Sequence, residues 1–309
     1  MIGLRHLQTL AAIRDTGSLV EAAECLHVTQ SALSHQLRDL EQRLGVSLLN
    51  RRTRPARFTV AGERLLALAD QVLPLLHDGL RDIRALAGGQ SGRLHLAIEC
   101  HACFQWLMPA LDQFRQQWPE VELDLSAAFA FAPQPALLRG DLDMVISSDP
   151  IAHDALSWLP LFRYQLVLAV ARHSALAELP FLPPEALASQ TLITYPVERQ
   201  RLDIFTAFLD PAGVEPAQIR NTELTPMMIQ LVAAGRGVAA LPNWAISEYR
   251  QQDLIRSLSL GEQGIWPILY AGIRRDEAAV PFLHEFVRIA REESMRGLSG
   301  IQAVAEQDR

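Results

Sequence analysis

The 309-residue sequence predicts an α/β protein in three parts: a mainly α winged helix-turn-helix head, a long linker helix, and an α/β body of two subdomains. Three observations predict it. Three helices, a tight turn and an arginine-rich hairpin fill the first sixty residues. A heptad-spaced apolar seam follows through residues 59–87. From residue 92 onward, apolar strand-like runs alternate with helix-length segments, which is the pattern of an α/β body with parallel sheets.

Charge separates head from body. Residues 1–60 hold eight arginines against five acidic residues, whereas the remainder holds twenty arginines against thirty, and there is no lysine anywhere. A basic head on an acidic body points to an anionic partner for the head alone. No apolar run approaches the roughly 20 residues that a membrane span needs. The start, "MIGLRHLQTLAAIRDTGS", lacks a signal-peptide core. Three cysteines, an odd number, fit a reducing compartment better than a disulfide framework. The expectation is a cytoplasmic protein.

In the head, Leu4, Leu7, Leu10 and Ala11 fall at helical spacing. "Ser18-Leu19-Val20-Glu21" has the form of a capping box opening a short Ala-rich helix. Thr29 is placed to cap a third helix, "QSALSHQLRDLEQRL", whose Leu33, Leu37, Leu40 and Leu44 make one narrow apolar stripe. Ser31, His35 and Arg38 lie opposite that stripe, with Ser34 beside them. Such a short hydrogen-bonding face suits a helix entering a major groove N-terminus first, although on this helix alone an ordinary solvated face fits as well. The helix–turn–helix spacing and the next segment tip the balance. "Asn50-Arg51-Arg52-Thr53-Arg54-Pro55-Ala56-Arg57" sets four arginines around a proline, as in a two-stranded wing lying along a phosphate backbone.

"CLHVTQSALSHQLRDLEQRLGVSLLNR" followed by "FTVAGERLL" resembles the winged helix-turn-helix head of LysR-type transcriptional regulators over about residues 2–65. The pair Ala22-Ala23, the "LG" at 44–45, the "NR" at 50–51 and the T-x-x-G at 59–62 carry the resemblance. It implies that Gln30, Ser31, Ser34 and His35 face bases, with Thr29 and Arg38 on the same helix. Arg51, Arg52, Arg54 and Arg57 would face backbone or minor groove.

Leu66, Ala69, Leu73, Leu76, Leu80, Ile83 and Ala87 alternate at spacings of three and four. Leu65, Leu68, Val72 and Leu75 add a second stripe. A helix buried in its own domain is one reading. Pairing with a second copy is the favoured one, through Leu66, Leu73, Leu76, Leu80 and Ile83, to give a homodimer or homotetramer. Pro74 would bend this helix or frame a kink. "AGGQSG" at 87–92 reads as a hinge.

In the body, strands are expected near 93–99, 121–126, 142–147, 165–171, 191–195, 238–241 and 265–273, with helices near 105–117, 134–139, 200–209, 226–235 and 279–292. Ligands of parallel sheets bind at strand carboxyl ends, here 99–104, 147–149, 194–199 and 225–228. No G-x-S-x-G, Walker loop or G-x-G-x-x-G is present, so no catalytic residues, metal or cofactor are assigned and the protein is read as no enzyme.

The segments "GDLDMVISSD", "TYPVERQRLDIF" and "LTPMMIQLVAAGRGVAALPNWA" make the body similar to the effector domain of LysR-type regulators, and among them to regulators of methionine biosynthesis. The resemblance implies a periplasmic-binding-protein-like body, homocysteine as coinducer, double-stranded DNA and RNA polymerase as partners, and no membrane. The expected divisions are a head at 1–60, a linker at 61–90, an effector domain at 91–295 and a frayed or weakly helical tail at 296–309. Subdomain I would span 91–162 and 267–295, and subdomain II 163–266.

"Glu99-Cys100-His101-Ala102-Cys103-Phe104" admits four readings: metal ligation, a redox pair, simple packing, or the wall of the effector pocket. A zinc site wants four ligands, and no second C-x-x-C exists. The pocket reading is favoured, with a redox or metal sensor as the alternative. For a homocysteine-sized zwitterion, amides at 101–104 (His101, Ala102 and Cys103 among them) or Thr194 would meet the carboxylate. Glu99 or Asp149 would accept from the ammonium. Phe104, Phe131, Met227 or Tyr195 would give the sulfur an apolar surface, and Thr225 opens the neighbouring helix.

Overall fold

The structure, a computed structural model, describes residues 2–50, 56–86, 92–99, 104–126 and 133–304. The head contains α1 (Leu4–Thr16), α2 (Leu19–Cys25), α3 (Gln30–Leu44), and a hairpin of β1 (Leu49–Asn50) with β2 (Arg57–Phe58). The linker is one helix, α4 (Val60–Leu86), which runs on through Pro74. The body continues with β3 (Gly92–Ile98), α5 (Phe104–Gln117), β4 (Val121–Ser126), α6 (Gln134–Leu138), β5 (Met144–Ser147), β6 (Leu156–Tyr164), β7 (Leu166–Ala171) and β8 (Thr191–Thr194). After a π-helical turn (Ile204–Leu209) come α7 (Asp210–Ala212), β9 (Gln218–Asn221), α8 (Thr225–Ala233), β10 (Ala239–Pro242), α9 (Ser247–Gln251), β11 (Ile255–Ser259), β12 (Ile268–Arg274), α10 (Pro281–Gly297) and β13 (Ile301–Gln302).

The sheets are mixed rather than parallel. The largest runs in the order β13-β6-β12-β5-β3-β4, and a three-stranded sheet runs β10-β7-β11. β3 and β4 pair parallel, as do β8 and β9. β7 pairs antiparallel with both of its neighbours, and β13 with β6. β6 and β7, consecutive in the chain, belong to different sheets.

The chain divides into two compact units. One comprises Met1–Ala97, Trp118–Val145 and Ile273–Phe282; the other Ile98–Gln117, Ile146–Gly272 and Leu283–Arg309. In the first, Leu10, Ile13, Leu33, Leu37, Leu40 and Leu48 form the head's core. Burying a side chain of this size contributes about 1.5–3 kcal/mol. Leu44, the last of the expected stripe, is exposed instead, because Gly45 turns left-handed (φ 69°) and ends the helix there. Elsewhere in this unit Asp143 Oδ2 accepts from the His95 amide at 2.8 Å, and Arg274 Nη1 donates to the Leu137 carbonyl at 2.7 Å. In the second unit, β7 is covered on one face by Leu182, Leu192, Phe205 and Leu209, and on the other by Met228, Ile229 and Val232.

Three expectations are corrected. Ser18 stands at the N-cap of α2 but makes no side-chain cap bond. The Thr16 hydroxyl instead accepts from the Ser18 amide at 3.3 Å and donates to its carbonyl at 2.9 Å. Leu66, Ala69 and Leu73 are not an open seam: Leu66 joins the head's core, while Ala69 and Leu73 pack on Leu7 and Ala11 of α1. Among the described residues, the large apolar side chains that α4 leaves exposed are Val60, Leu68, Leu75, Leu80 and Ile83, with Leu76 half-buried. Within the tail, expected to be frayed or weakly helical, α10 ends at Gly297 and Ile301–Gln302 form a strand. Asn243 Nδ2 donates to the carbonyls of Ser299 and Gly300 at 2.8 and 3.0 Å, and β13 then pairs Ile301 with Tyr164.

Candidate nucleic-acid interface and effector site

The head presents α3 by two local devices. Thr29 Oγ1 accepts from the Ala32 amide at 3.2 Å, so the expected cap forms and removes one orphan donor of the first turn. The turn before it is closed by His27 in the left-handed region (φ 52°), one of the few side chains that visit it. With Leu33, Leu37 and Leu40 buried, Gln30, Ser31, His35 and Arg38 are turned out to solvent, and Ser34 is half-buried. Thr29 Oγ1 and Ser31 Oγ share a hydrogen bond of 3.0 Å, Arg38 Nε donates to the Ser34 carbonyl at 3.1 Å, and His35 stands 3.5 Å from Asp39. These local bonds hold the polar face together at no cost to the buried one.

A residue that the sequence reasoning passed over ties this helix to the wing. Glu41, buried one turn from the end of α3, accepts from the Leu48 amide at 2.8 Å and the Leu49 amide at 3.4 Å. Bonds to a charged acceptor in a buried setting are each worth about 1.5–3 kcal/mol. The wing strand β2 carries Arg57 exposed to solvent. Arg51, Arg52 and Arg54 lie outside the described residues.

In the second unit, several strand carboxyl ends carry polar side chains. Glu99, just past β3, and Asp149, just past β5, are brought together by one residue: Arg201 Nη2 donates to Glu99 Oε1 at 2.6 Å, and Arg201 Nε to Asp149 Oδ2 at 2.6 Å. Burial pulls the Arg201 guanidinium down, but the carboxylates of Asp149 and Glu99 outweigh it, leaving the group raised. Asp203, two residues on, has its carboxyl pushed up to about 6, first by burial and then by Asp149. At the end of β8, Thr194 is buried and donates to Asn221 Oδ1 at 3.0 Å across the β8–β9 pair. Tyr195 OH and the buried Thr225 Oγ1 share a bond of 2.7 Å that ties the end of β8 to the start of α8.

Of the expected effector residues, Glu99 and Asp149 therefore meet, as do Tyr195 and Thr225. Met227 is 52% exposed, so it offers less enclosed apolar surface than expected. Phe104 begins α5. His101, Ala102, Cys103 and Phe131 lie outside the described residues, as does Cys100. Arg201 and Asp203 were missed: "ERQR" begins four residues past β8, and nothing near it in sequence ties Arg201 to carboxylates 102 and 52 residues away. Cys25, half-buried in α2, has its thiol pushed up to about 11, mainly by burial, which keeps it protonated and inert. Among the described residues no helix is long and apolar enough to cross a membrane, and no group of three or more His, Cys, Asp and Glu is arranged to hold a metal ion.

Comparison with known proteins agrees with this division of labour. Residues 4–63 match the bacterial regulatory helix-turn-helix protein, lysR family, and residues 87–295 match the LysR substrate binding domain. The chain is 48% identical over 291 residues to the HTH-type transcriptional regulator MetR of Escherichia coli (strain K12), covering 94% of this chain and 90% of that one. It is similar to the solved regulatory domain of MetR from N. meningitidis, at 37% identity and a TM-score of 0.63, covering 69% of this chain and 99% of that one. The LysR-family regulator CbnR, at 24% identity and a TM-score of 0.60, shares the fold over 94% of this chain and 99% of its own.

Proposed function

The chain belongs to the LysR family of bacterial regulatory helix-turn-helix proteins, and from that membership we propose that it regulates methionine-biosynthesis genes in answer to homocysteine. The observation that carries this reading is that the likeness to MetR runs through both head and body, where the two working surfaces lie. On the head, Gln30, Ser31, Ser34 and His35 read base edges, and Arg57 with Arg51, Arg52 and Arg54 binds phosphate. Thr29 sets the helix start, and Arg38 extends the same face. On the body, homocysteine binds at the strand ends, its ammonium toward Glu99 and Asp149, its carboxylate toward Thr194 and the amides before α5, and its thiol toward the Tyr195–Thr225 side.

The protein acts as a cytoplasmic homodimer or homotetramer that pairs along α4 and contacts RNA polymerase at its promoters. The division at residues 60, 90 and 295 belongs to the same reading. The test uses the full chain. L-Homocysteine, L-methionine and L-cysteine are titrated by calorimetry, and promoter DNA of methionine genes is titrated by fluorescence anisotropy with and without the bound amino acid. Saturable heat with homocysteine, and a change in DNA affinity or footprint on its addition, are expected. No heat with homocysteine sinks the effector. Binding to promoter DNA no tighter than to scrambled duplex sinks the target.

A further inference from the structure

Arg201 occupies the place where an amino-acid effector would need its own cation to go. The residue sits in a 3₁₀ turn (Arg199–Arg201) between β8 and the π-helical turn. Its guanidinium bridges two carboxylates from different strands, Glu99 beyond β3 and Asp149 beyond β5, each at 2.6 Å. The Glu99 side chain is 8% exposed and that of Arg201 24%. An ammonium has three donors on one atom and can bond both carboxylates as the guanidinium does. A ligand carboxylate in the same place would face two like charges.

We propose that Arg201 is a specificity-determining residue of the effector site, a tethered competitor that the effector's ammonium displaces from Glu99 and Asp149. The inference rests on the effector reading above. It selects for ligands with a free primary ammonium, because a neutral group leaves the guanidinium in possession of both carboxylates. It also lowers the apparent affinity of the right ligand by the fraction of time that Arg201 is withdrawn. Displacement stays local: Arg199, in the same turn, is held apart by its stacking over the Phe205 ring at 4.0 Å and by its bonds to Asp210 and Glu215. Only the Arg201 side chain has to swing.

The experiment compares the full-length protein with Arg201→Ala, Arg201→Lys and the double variant Arg201→Ala/Glu99→Gln. The probes are L-homocysteine, 4-mercaptobutanoate (the same skeleton without the ammonium) and methylammonium, read by calorimetry and by thermal shift against matched sodium chloride. If Arg201 holds the carboxylates nine-tenths of the time, Arg201→Ala binds homocysteine about tenfold more tightly. The gain is absent for 4-mercaptobutanoate. Methylammonium raises the melting temperature of Arg201→Ala, leaves wild type unmoved, and loses its effect in the double variant. A structural role for Arg201 would not produce that response. Loss of homocysteine binding in Arg201→Ala overturns the proposal, as does a methylammonium shift equal in wild type and variant. Should Arg201→Ala fail to fold, Arg201→Lys keeps the charge with a poorer two-carboxylate grip: tighter homocysteine binding than wild type supports the proposal, and equal or weaker binding overturns it. Indifference of wild type and every variant alike to homocysteine, with methylammonium still binding Arg201→Ala, removes homocysteine as effector and leaves the competitor standing.

Discussion

Substituting Gly62 by alanine sets two effects of opposite sign against each other. Gly62 lies in the first turn of α4, where helix propensity alone favours alanine by about 1 kcal/mol. Space argues the other way. A Cβ built at this position falls 2.2 Å from the Leu48 carbonyl oxygen and 2.9 Å from Phe58 Cδ1. The first is backbone, fixed in the head's core by the fully buried Leu48 side chain, and cannot rotate aside. The same carbonyl accepts from the Thr59 amide at 3.0 Å, while Thr59 Oγ1 accepts from the Gly62 amide at 3.2 Å and donates to the Ser47 carbonyl at 2.6 Å. Relief needs a shift of about 1 Å through this knot. Overpacking costs about 1–3 kcal/mol, and a stretched hydrogen bond adds about 1 kcal/mol. Less the propensity gain, Gly62→Ala should destabilise the junction of wing and linker by about 1–3 kcal/mol. Native-state hydrogen exchange reads this at the Thr59 amide, whose protection should fall roughly 5- to 150-fold. Protection that is unchanged or increased would refute the steric argument and show that the wing yields freely.

Thr29→Ala should cost about 1 kcal/mol of head stability through the lost cap, with Thr29→Ser near neutral, both read by thermal unfolding. Gly45 has open space around it but a left-handed backbone, so Gly45→Ala should cost about 1 kcal/mol and Gly45→Asn less; equal costs would point to packing instead. Asp203 has a folded-state pKa of about 6, above its ordinary value, so the stability it contributes is full below about pH 4 and is lost as pH rises to 6. Asp203→Asn should therefore stabilise the body by up to about 3 kcal/mol at pH 7.5 and do nothing near pH 4, and urea unfolding that shows equal effects at both pH values counts against the raised carboxyl. Leu75→Glu with Ile83→Glu, on the exposed side of α4, should lower the sedimenting mass to that of a monomer; an unchanged mass moves the pairing surface elsewhere.

What could be read from the sequence was what local periodicity determines. Three leucines of α3, the Thr29 cap and the span of β4 were visible because each rests on neighbours within a few residues. β6 was missed since "LSWLPLFRY" carries Pro160 at its centre, a residue that argues against an inner strand. The heptad of α4 was seen, but periodicity does not say what covers a stripe. Leu66 and Leu73 turned out to serve the head of their own chain. Ser18 makes no cap bond, and its backbone is held instead by a hydroxyl two residues earlier, a detail invisible in the motif. At the candidate effector site, Glu99 and Asp149 were found by the strand-end rule, whereas Arg201 reaches them across 102 and 52 residues of sequence. No local pattern reports a pairing of that length.

The short strand β13 has a practical side. Two residues shield the outer edge of β6 at Arg163 and Tyr164, and Asn243 pins the approach to it. An uncovered strand edge is a template for self-association. Cutting the protein back to Gly297, at the end of α10, would strip that guard and leave this edge of β6 open to pairing with another copy. Affinity tags and fluorescent fusions are better placed beyond residue 304 than in exchange for it.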